Sequence, residues 1–234
     1  MALYLLPNAF PIRFLESGDL LAGRSTELDL LRRALVRPGP LRAAALVGVD
    51  PQSASALAGA VVRGEFDGVV RFEARGPTTV AGVQAWLDEV GSGAGRAVVV
   101  DGLRWLFVRR PGGLAPVERL IEGVLADQGR NAWMLVADAA VWRFLVGATA
   151  IGELCATVVD LGPLTEDELA RAVLARHTMS GYDVVFELDD EIGVQLRGLW
   201  MGDEDREQLR QDVWFRSLHQ ASAGILADAL RLWL

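Results

Sequence analysis

The sequence predicts an α/β fold built on a parallel sheet, and three observations carry that expectation. Five short apolar runs, Ala43–Val49, Val69–Glu73, Ala97–Asp101, Ala132–Asp138 and Ala156–Leu161, are each closed by polar or turn residues. Inside them apolar residues follow one another with little alternation, as strands covered on both faces require. Amphipathic helical patterns separate the runs, and strand–helix alternation is what crossover connections between parallel strands look like.

The elements follow in order. Glu27–Arg37 sets Leu28, Leu31 and Leu35 at helical spacing ahead of the first strand. Ala54–Arg63 follows that strand, Val80–Val90 lines up Val83, Trp86, Leu87 and Val90, and Val117–Asp127 repeats the pattern with Val117, Leu120, Ile121, Val124 and Leu125. After the fifth strand the character changes. Thr165, with Glu168 three residues on, makes a capping box that predicts a helix to about His177. Asp183–Asp190 reads as a short extended piece, and helices are expected from about Glu204 to Ala221 and from Ile225 onward. The division is expected near Gly162-Pro163: an α/β core with an N-terminal arm over 1–163, and a helical subdomain over 164–234.

Composition narrows the function classes. Of 234 residues, 51% are hydrophobic and 23% charged, which excludes a disordered or fibrous chain. A net charge of −8 and a pI ≈ 4.9 argue against a nucleic-acid-binding surface spread over the molecule, so no nucleic acid is expected as partner. All 23 basic residues are arginines. Schiff-base chemistry and the phosphate-binding lysine of a nucleotide loop are therefore closed to this chain. The single cysteine, Cys155, excludes an internal disulfide and a thiolate cage and reads as a buried small hydrophobe. His177 and His219 lack the neighbours of a zinc site, so no metal is expected there. The apolar start Met1–Leu6 has no preceding basic residue and runs into Pro7 and Pro11, unlike a signal peptide. No uncharged apolar run approaches the ~18–20 residues of a membrane span. A cytoplasmic location is expected, and a mean hydropathy of +0.26 points to apolar surface that a protein partner covers.

The first strand-to-helix turn reads Gly48-Val49-Asp50-Pro51-Gln52-Ser53-Ala54-Ser55. A phosphate-binding loop, G-x-x-x-x-G-K-[ST], works because its glycines let backbone N–H groups curl around phosphates, its lysine neutralises them and its hydroxyl holds Mg²⁺. Counted from Gly48, Ser53 stands at the second glycine, Ala54 at the lysine, and Ser55 keeps the hydroxyl. Ala97–Asp101 is an apolar strand ending in a carboxylate, suited either to ordering Mg²⁺ or simply to capping the strand end. Upstream, Gly23-Arg24-Ser25-Thr26-Glu27-Leu28 spaces Arg24 and Glu27 to pair across a helix start. Ala132–Asp138 is a further strand with a polar end.

In this order the segments resemble the nucleotide-binding module of the STAND and AAA+ P-loop ATPases, large bacterial STAND-like proteins in particular, over about residues 18–234. The resemblance implies a five-stranded P-loop-NTPase-like sheet in the order 5-1-4-3-2, with the C-terminal helices as a lid. It implies nucleotide-binding positions at Gly48, Ser53, Ala54, Ser55, Asp101, Asp138, Gly23 and Arg24, with Arg24 near the adenine and Asp138 at the sensor-1 place. It sets the lid's G-x-P motif at Gly224-Ile225-Leu226, leucine replacing proline. Arg109, Arg110 and Arg143 become either an oligomer-facing arginine set or plain solvated side chains. The loop Phe107–Leu114 falls at the carboxyl edge, where open α/β sheets bind ligands.

Departures from that pattern decide the expected function. A lysine at position 54 would add charge-assisted bonds of ~1.5–3 kcal/mol each, and a loss of ~3 kcal/mol is roughly 100-fold in affinity. Pro51 withdraws an N–H, Ser53 resists a turn that wants glycine, and Gly102 follows Asp101 where many active relatives carry a second acid. The expectation is a pseudo-ATPase with no catalytic residue and no cofactor. It would act through protein partners, or copies of itself, in assembly or regulation of a larger complex. The alternatives are a switch that binds ATP or ADP with Mg²⁺ weakly, and an active ATPase that borrows an arginine for the missing lysine. Residues 49–55 are expected not to cradle phosphate.

Overall fold

The computed structural model describes residues 24–49, 51–178, 181–186 and 202–233. The chain divides into two units between Gly162 and Pro163. In the first, α1 (Ser25–Val36) leads into β1 (Ala43–Gly48), α2 (Pro51–Glu65), β2 (Val69–Glu73), α3 (Val80–Gly91) and β3 (Ala97–Asp101). A single 3₁₀ turn, Leu103–Trp105, precedes α4 (Ala115–Asp127); β4 (Ala132–Asp138), α5 (Ala139–Ala148), α6 (Ile151–Leu154) and β5 (Thr157–Leu161) complete it. The second unit holds α7 (Glu166–Thr178), α8 (Asp203–Ser222) and α9 (Leu226–Trp233).

The five strands are all parallel and lie in the order β2-β3-β4-β1-β5, the expected order read from the other edge. β1 is held on both sides: Gly48 stands opposite Asp138 of β4 and opposite Leu161 of β5. β1 is buried throughout, as are β3 up to Val100 and β4 up to Ala137, which is why their sequences carry Ala, Val, Leu and Met without alternation. The edge strand β2 alone begins and ends on exposed residues, Val69 and Glu73.

Aromatic rings anchor one face of the core. Trp86 of α3 packs between Phe72 of β2, at 4.7 Å, and Trp133 of β4, at 6.0 Å edge to face. Helix starts are set by side-chain oxygens: Thr79 accepts from Gly82 N at 3.1 Å, and Asp138 accepts from Val141 N at 2.8 Å. The box at Thr165 is reciprocal, with Thr165 N donating to Glu168 at 2.8 Å and Glu168 N to Thr165 Oγ1 at 3.3 Å.

Two departures from the sequence reading are instructive. Residues 139–154, for which the sequence reading names no element, hold α5 and α6. Ala139–Ala148 has a single charged residue, Arg143, so no polar stripe announced its period. The expected piece Asp183–Asp190 has no regular structure over 183–186, and 187–190 lie outside the described residues.

In the helical unit, α8 ends where Ala223 and Gly224 take φ of 51° and 71°. A Cβ on Gly224 would stand 2.5 Å from the Leu164 carbonyl oxygen, which also accepts from His219 Nε2 at 2.9 Å. Glycine is needed there. Beyond it, Trp214, Phe215 and Trp233 pack with Phe186, the Trp214–Trp233 centroids lying 4.8 Å apart, and Trp233 Nε1 donates to His177 Nδ1 at 3.2 Å.

A buried polar network closes the amino edge of the sheet. Asp127, 3% exposed, accepts from Asn131 N and Nδ2, both at 2.8 Å, and from Trp133 Nε1 at 3.2 Å. Asn131 in turn accepts from Arg96 N at 3.1 Å, so the end of α4 and the starts of β3 and β4 share one set of bonds. Asp127→Ala strands several buried donors and is expected to cost about 3 kcal/mol, lowering the thermal midpoint by roughly 6–12 °C at this chain length; differential scanning calorimetry measures it.

Burial among apolar neighbours pushes the Cys155 thiol up to about 12. The native thiol is expected to resist iodoacetamide at pH 8 and to react once the chain is unfolded, read by mass spectrometry. Its folded-state value lies above the unfolded one, so the unfolded state loses the proton first. Stability is expected to fall as pH rises from about 9 towards 12.

Candidate functional site

The register brings the carboxyl ends of the strands to one edge: Glu73, Asp101, Asp138, Gly48 and Leu161. α2 begins at Pro51, leaving two residues between it and Gly48, and Asp50 lies outside the described residues. Ser53, Ala54 and Ser55 are therefore inside a helix, whereas a phosphate cradle needs several loop residues first. From Pro51 to Ser55 no residue has a positive φ. Ala54, at the lysine position, is 0% exposed and belongs to the core, and Ser53 is half-buried.

Ser55 and Asp101 are brought together. Ser55 Oγ donates to Asp101 Oδ2 at 2.5 Å, which accounts for the hydroxyl proton. The free side of the same oxygen accepts from Arg71 Nη1 at 3.2 Å. Arg71 comes from the edge strand β2, also pairs with Glu73 at 3.6 Å, and is 25% exposed. Its other terminal nitrogen lies against Gly59, one turn after Ser55; a Cβ at Gly59 would stand 3.0 Å from it, so the missing side chain makes room for the guanidinium. Sequence reasoning missed Arg71. Its signal was a cation in the middle of the apolar run Val69-Val70-Arg71-Phe72.

The remaining sites are placed as follows. Asp138 caps α5 and, with Asp101 and Arg104, lines a cavity of about 30 Å³, room for one or two waters. Arg24 pairs with Glu27 at 2.9 Å and donates its other nitrogen to the Gly162 carbonyl, tying the start of α1 to the end of β5. Gly48 closes β1, and Gly23 lies outside the described residues. Gly102 has φ 82°, and a Cβ there would stand 2.7 Å from the Ala74 carbonyl oxygen. A second acid after Asp101 is thus sterically refused by this backbone. Leu226, in the lid proline's place, is the first residue of α9.

This cluster fixes one cation and one hydroxyl beside a carboxylate, and buried Ala54 stands at the lysine position of α2. No protein-family model matches the chain, and no curated protein matches it by sequence. Among solved structures, the Thermotoga maritima RuvB Holliday junction branch migration motor is similar at 15% identity and TM-score 0.59, over 94% of this chain and 64% of that one. C. elegans PCH-2 is similar at 12% identity and TM-score 0.52, over 89% and 59%. A chain of the E. coli MS115-1 HORMA:CdnC:Trip13 complex aligns at 17% identity and TM-score 0.48, over 95% and 92%. This chain spans under two thirds of the RuvB and PCH-2 chains. At such identities the likeness is one of fold alone: a five-stranded, all-parallel P-loop-NTPase-like sheet with helices around it.

Proposed function

We propose that this chain is a catalytically inactive P-loop-fold module of the STAND-like kind, a component of a larger bacterial, cytoplasmic complex that works through protein contacts in assembly or regulation. One observation carries the reading: the two groups a Mg²⁺ would need, Ser55 Oγ and the Asp101 carboxylate, are bonded to each other, and Arg71 holds the free side of the hydroxyl. A fixed guanidinium beside Ser55 supplies the positive charge that a metal would bring, without a metal's open coordination positions. The buried Ala54 and the refused side chain at Gly102 remove charge neutralisation and water positioning from the same edge.

A second reading keeps some nucleotide affinity. The head of α2 presents backbone N–H groups at the strand ends, and helix N-termini attract phosphate. Under that reading the chain is a switch that holds ATP or ADP weakly.

Isothermal titration with ATP, ADP and GTP in Mg²⁺ separates the two. The inactive module is expected to bind each no tighter than about 1 mM, worth ~4 kcal/mol. Micromolar ADP binding that Asp101→Ala weakens would favour the switch. Phosphate release by the unaltered chain that disappears in Asp101→Ala would sink the proposal in favour of an ATPase.

Ser53→Gly with Ala54→Lys is expected to give no turnover, because the losses act as a unit. It places an ammonium at a fully buried position and a glycine within α2. The expected cost is on the order of 2 kcal/mol or more, a thermal midpoint lower by roughly 4–8 °C. Circular dichroism melting and a phosphate-release assay on one preparation read both.

A further inference from the structure

Outside the Ser55 cluster, charge is distributed unevenly in a way the module's fold does not require. Residues 102–117 hold Arg104, Arg109 and Arg110 and no acid, and residues 139–152 hold Arg143 and no acid. This lies within a chain whose net charge is −8. The two segments meet in space: Phe107 and Phe144 stack with centroids 4.9 Å apart, and the Arg109 guanidinium lies over the Phe144 ring at 5.1 Å. Arg104 lies over Trp105 at 5.4 Å. All four arginines are exposed, and among the described residues none of them makes an ion pair. Exposed apolar side chains belong to the same two segments, Val108 at 38% and Val146 at 45%.

The loop is also built to hold its shape. Val108 N donates to Gly113 O at 3.1 Å and Gly113 N to Arg110 O at 2.9 Å, closing a turn with Arg109 and Arg110 at its tip. A Cβ on Gly113 would stand 2.0 Å from the Val108 carbonyl oxygen, so that closure depends on glycine. Guanidinium groups stacked on rings and carried by a closed turn lose little freedom on binding, which is the economy of a preorganised surface. Arginine and aromatic residues are also the types that dominate interface energetics.

We propose that the surface formed by the Leu103–Leu114 loop and α5 docks an acidic, aromatic-containing segment of a partner protein. Charge complementarity selects an anionic occupant, and the exposed apolar side chains and rings of the same two segments select one with apolar anchors. The overall charge of −8 disfavours a long polyanion such as nucleic acid, which feels the whole molecule's field, whereas a short acidic segment meets only the local patch. The proposal deepens the reading of the chain as an interaction module and rests on it.

The test is fluorescence anisotropy at low salt with a labelled peptide of repeating Glu-Glu-Phe units, against a labelled single-stranded oligonucleotide of matched length. The peptide is expected to bind more tightly than the oligonucleotide and to weaken as salt rises. Arg109→Glu with Arg110→Glu is expected to weaken peptide binding by about tenfold or more. The same reversal at exposed Arg33 and Arg37, distant in the chain, should change it by less than about twofold. Arg104→Gln with Arg143→Gln, checked for an unchanged melting midpoint, is a second variant expected to weaken it, should the first fail to fold. No peptide binding, binding indifferent to both patch variants, or tighter oligonucleotide binding lost with the patch would each overturn the proposal. Turnover of ATP by the unaltered chain would instead strike the inactive-module reading, whatever the peptide does.

Discussion

A parallel strand cannot be joined to its neighbour by a tight turn, and most of this α/β unit follows from that constraint. Each return to the sheet needs a crossover, and the helices that make the crossovers cover both faces. β1 then has to carry apolar side chains on both sides, and Ala43–Gly48 does so with every residue buried. The same geometry delivers every strand's carboxyl end to one edge. Glu73, Asp101 and Asp138 are gathered by register, and Ser55 is brought to them by the helix that follows β1.

Gathering carboxylates has an electrostatic cost that the chain meets with arginine. Arg71 answers Ser55 and Glu73 at the β2 side, and Arg24 answers Glu27 and the Gly162 carbonyl at the β5 side. A planar guanidinium suits this work because it serves several acceptors at once from a fixed fork. At the opposite edge the compensation is made by hydrogen bonds, with Asp127 buried and taking its donors from Asn131 and Trp133. The arginines at 104, 109, 110 and 143 stand apart from this pattern: they lie over rings or face solvent, and the positive charge they bring is not used up inside the unit.

The helical unit is organised on a different principle. α7, α8 and α9 bury Leu169, Val173, Phe215, Leu218 and Leu230, and the joint between α8 and α9 is fixed by Gly224 against the Leu164 carbonyl. Local signals were strong there. The Thr165–Glu168 box is complete within four residues, and a motif of that kind forms wherever the chain is helical.

By itself the sequence determined the strands, the burial of β1, β3 and β4, and the absence of a lysine at the head of α2, because continuous apolar runs and residue identity are local facts. β2 and β5 are partly exposed because they lie at the sheet's edges. Strand ends came within a residue, β1 stopping at Gly48 and β5 starting at Thr157. The resemblance of the motifs implied Ser55 and Asp101 as separate nucleotide-binding positions, and the hydrogen bond between them comes from the structure. What the tertiary structure alone decided depends on space between elements distant in the chain. Arg71 reads as an odd cation in a strand until α2 is laid beside it with Gly59 leaving room. Gly102 reads as a missing acid until Ala74 closes on it, and α5, apolar on nearly every side, shows its helix only once β4 and the Asp138 cap place it.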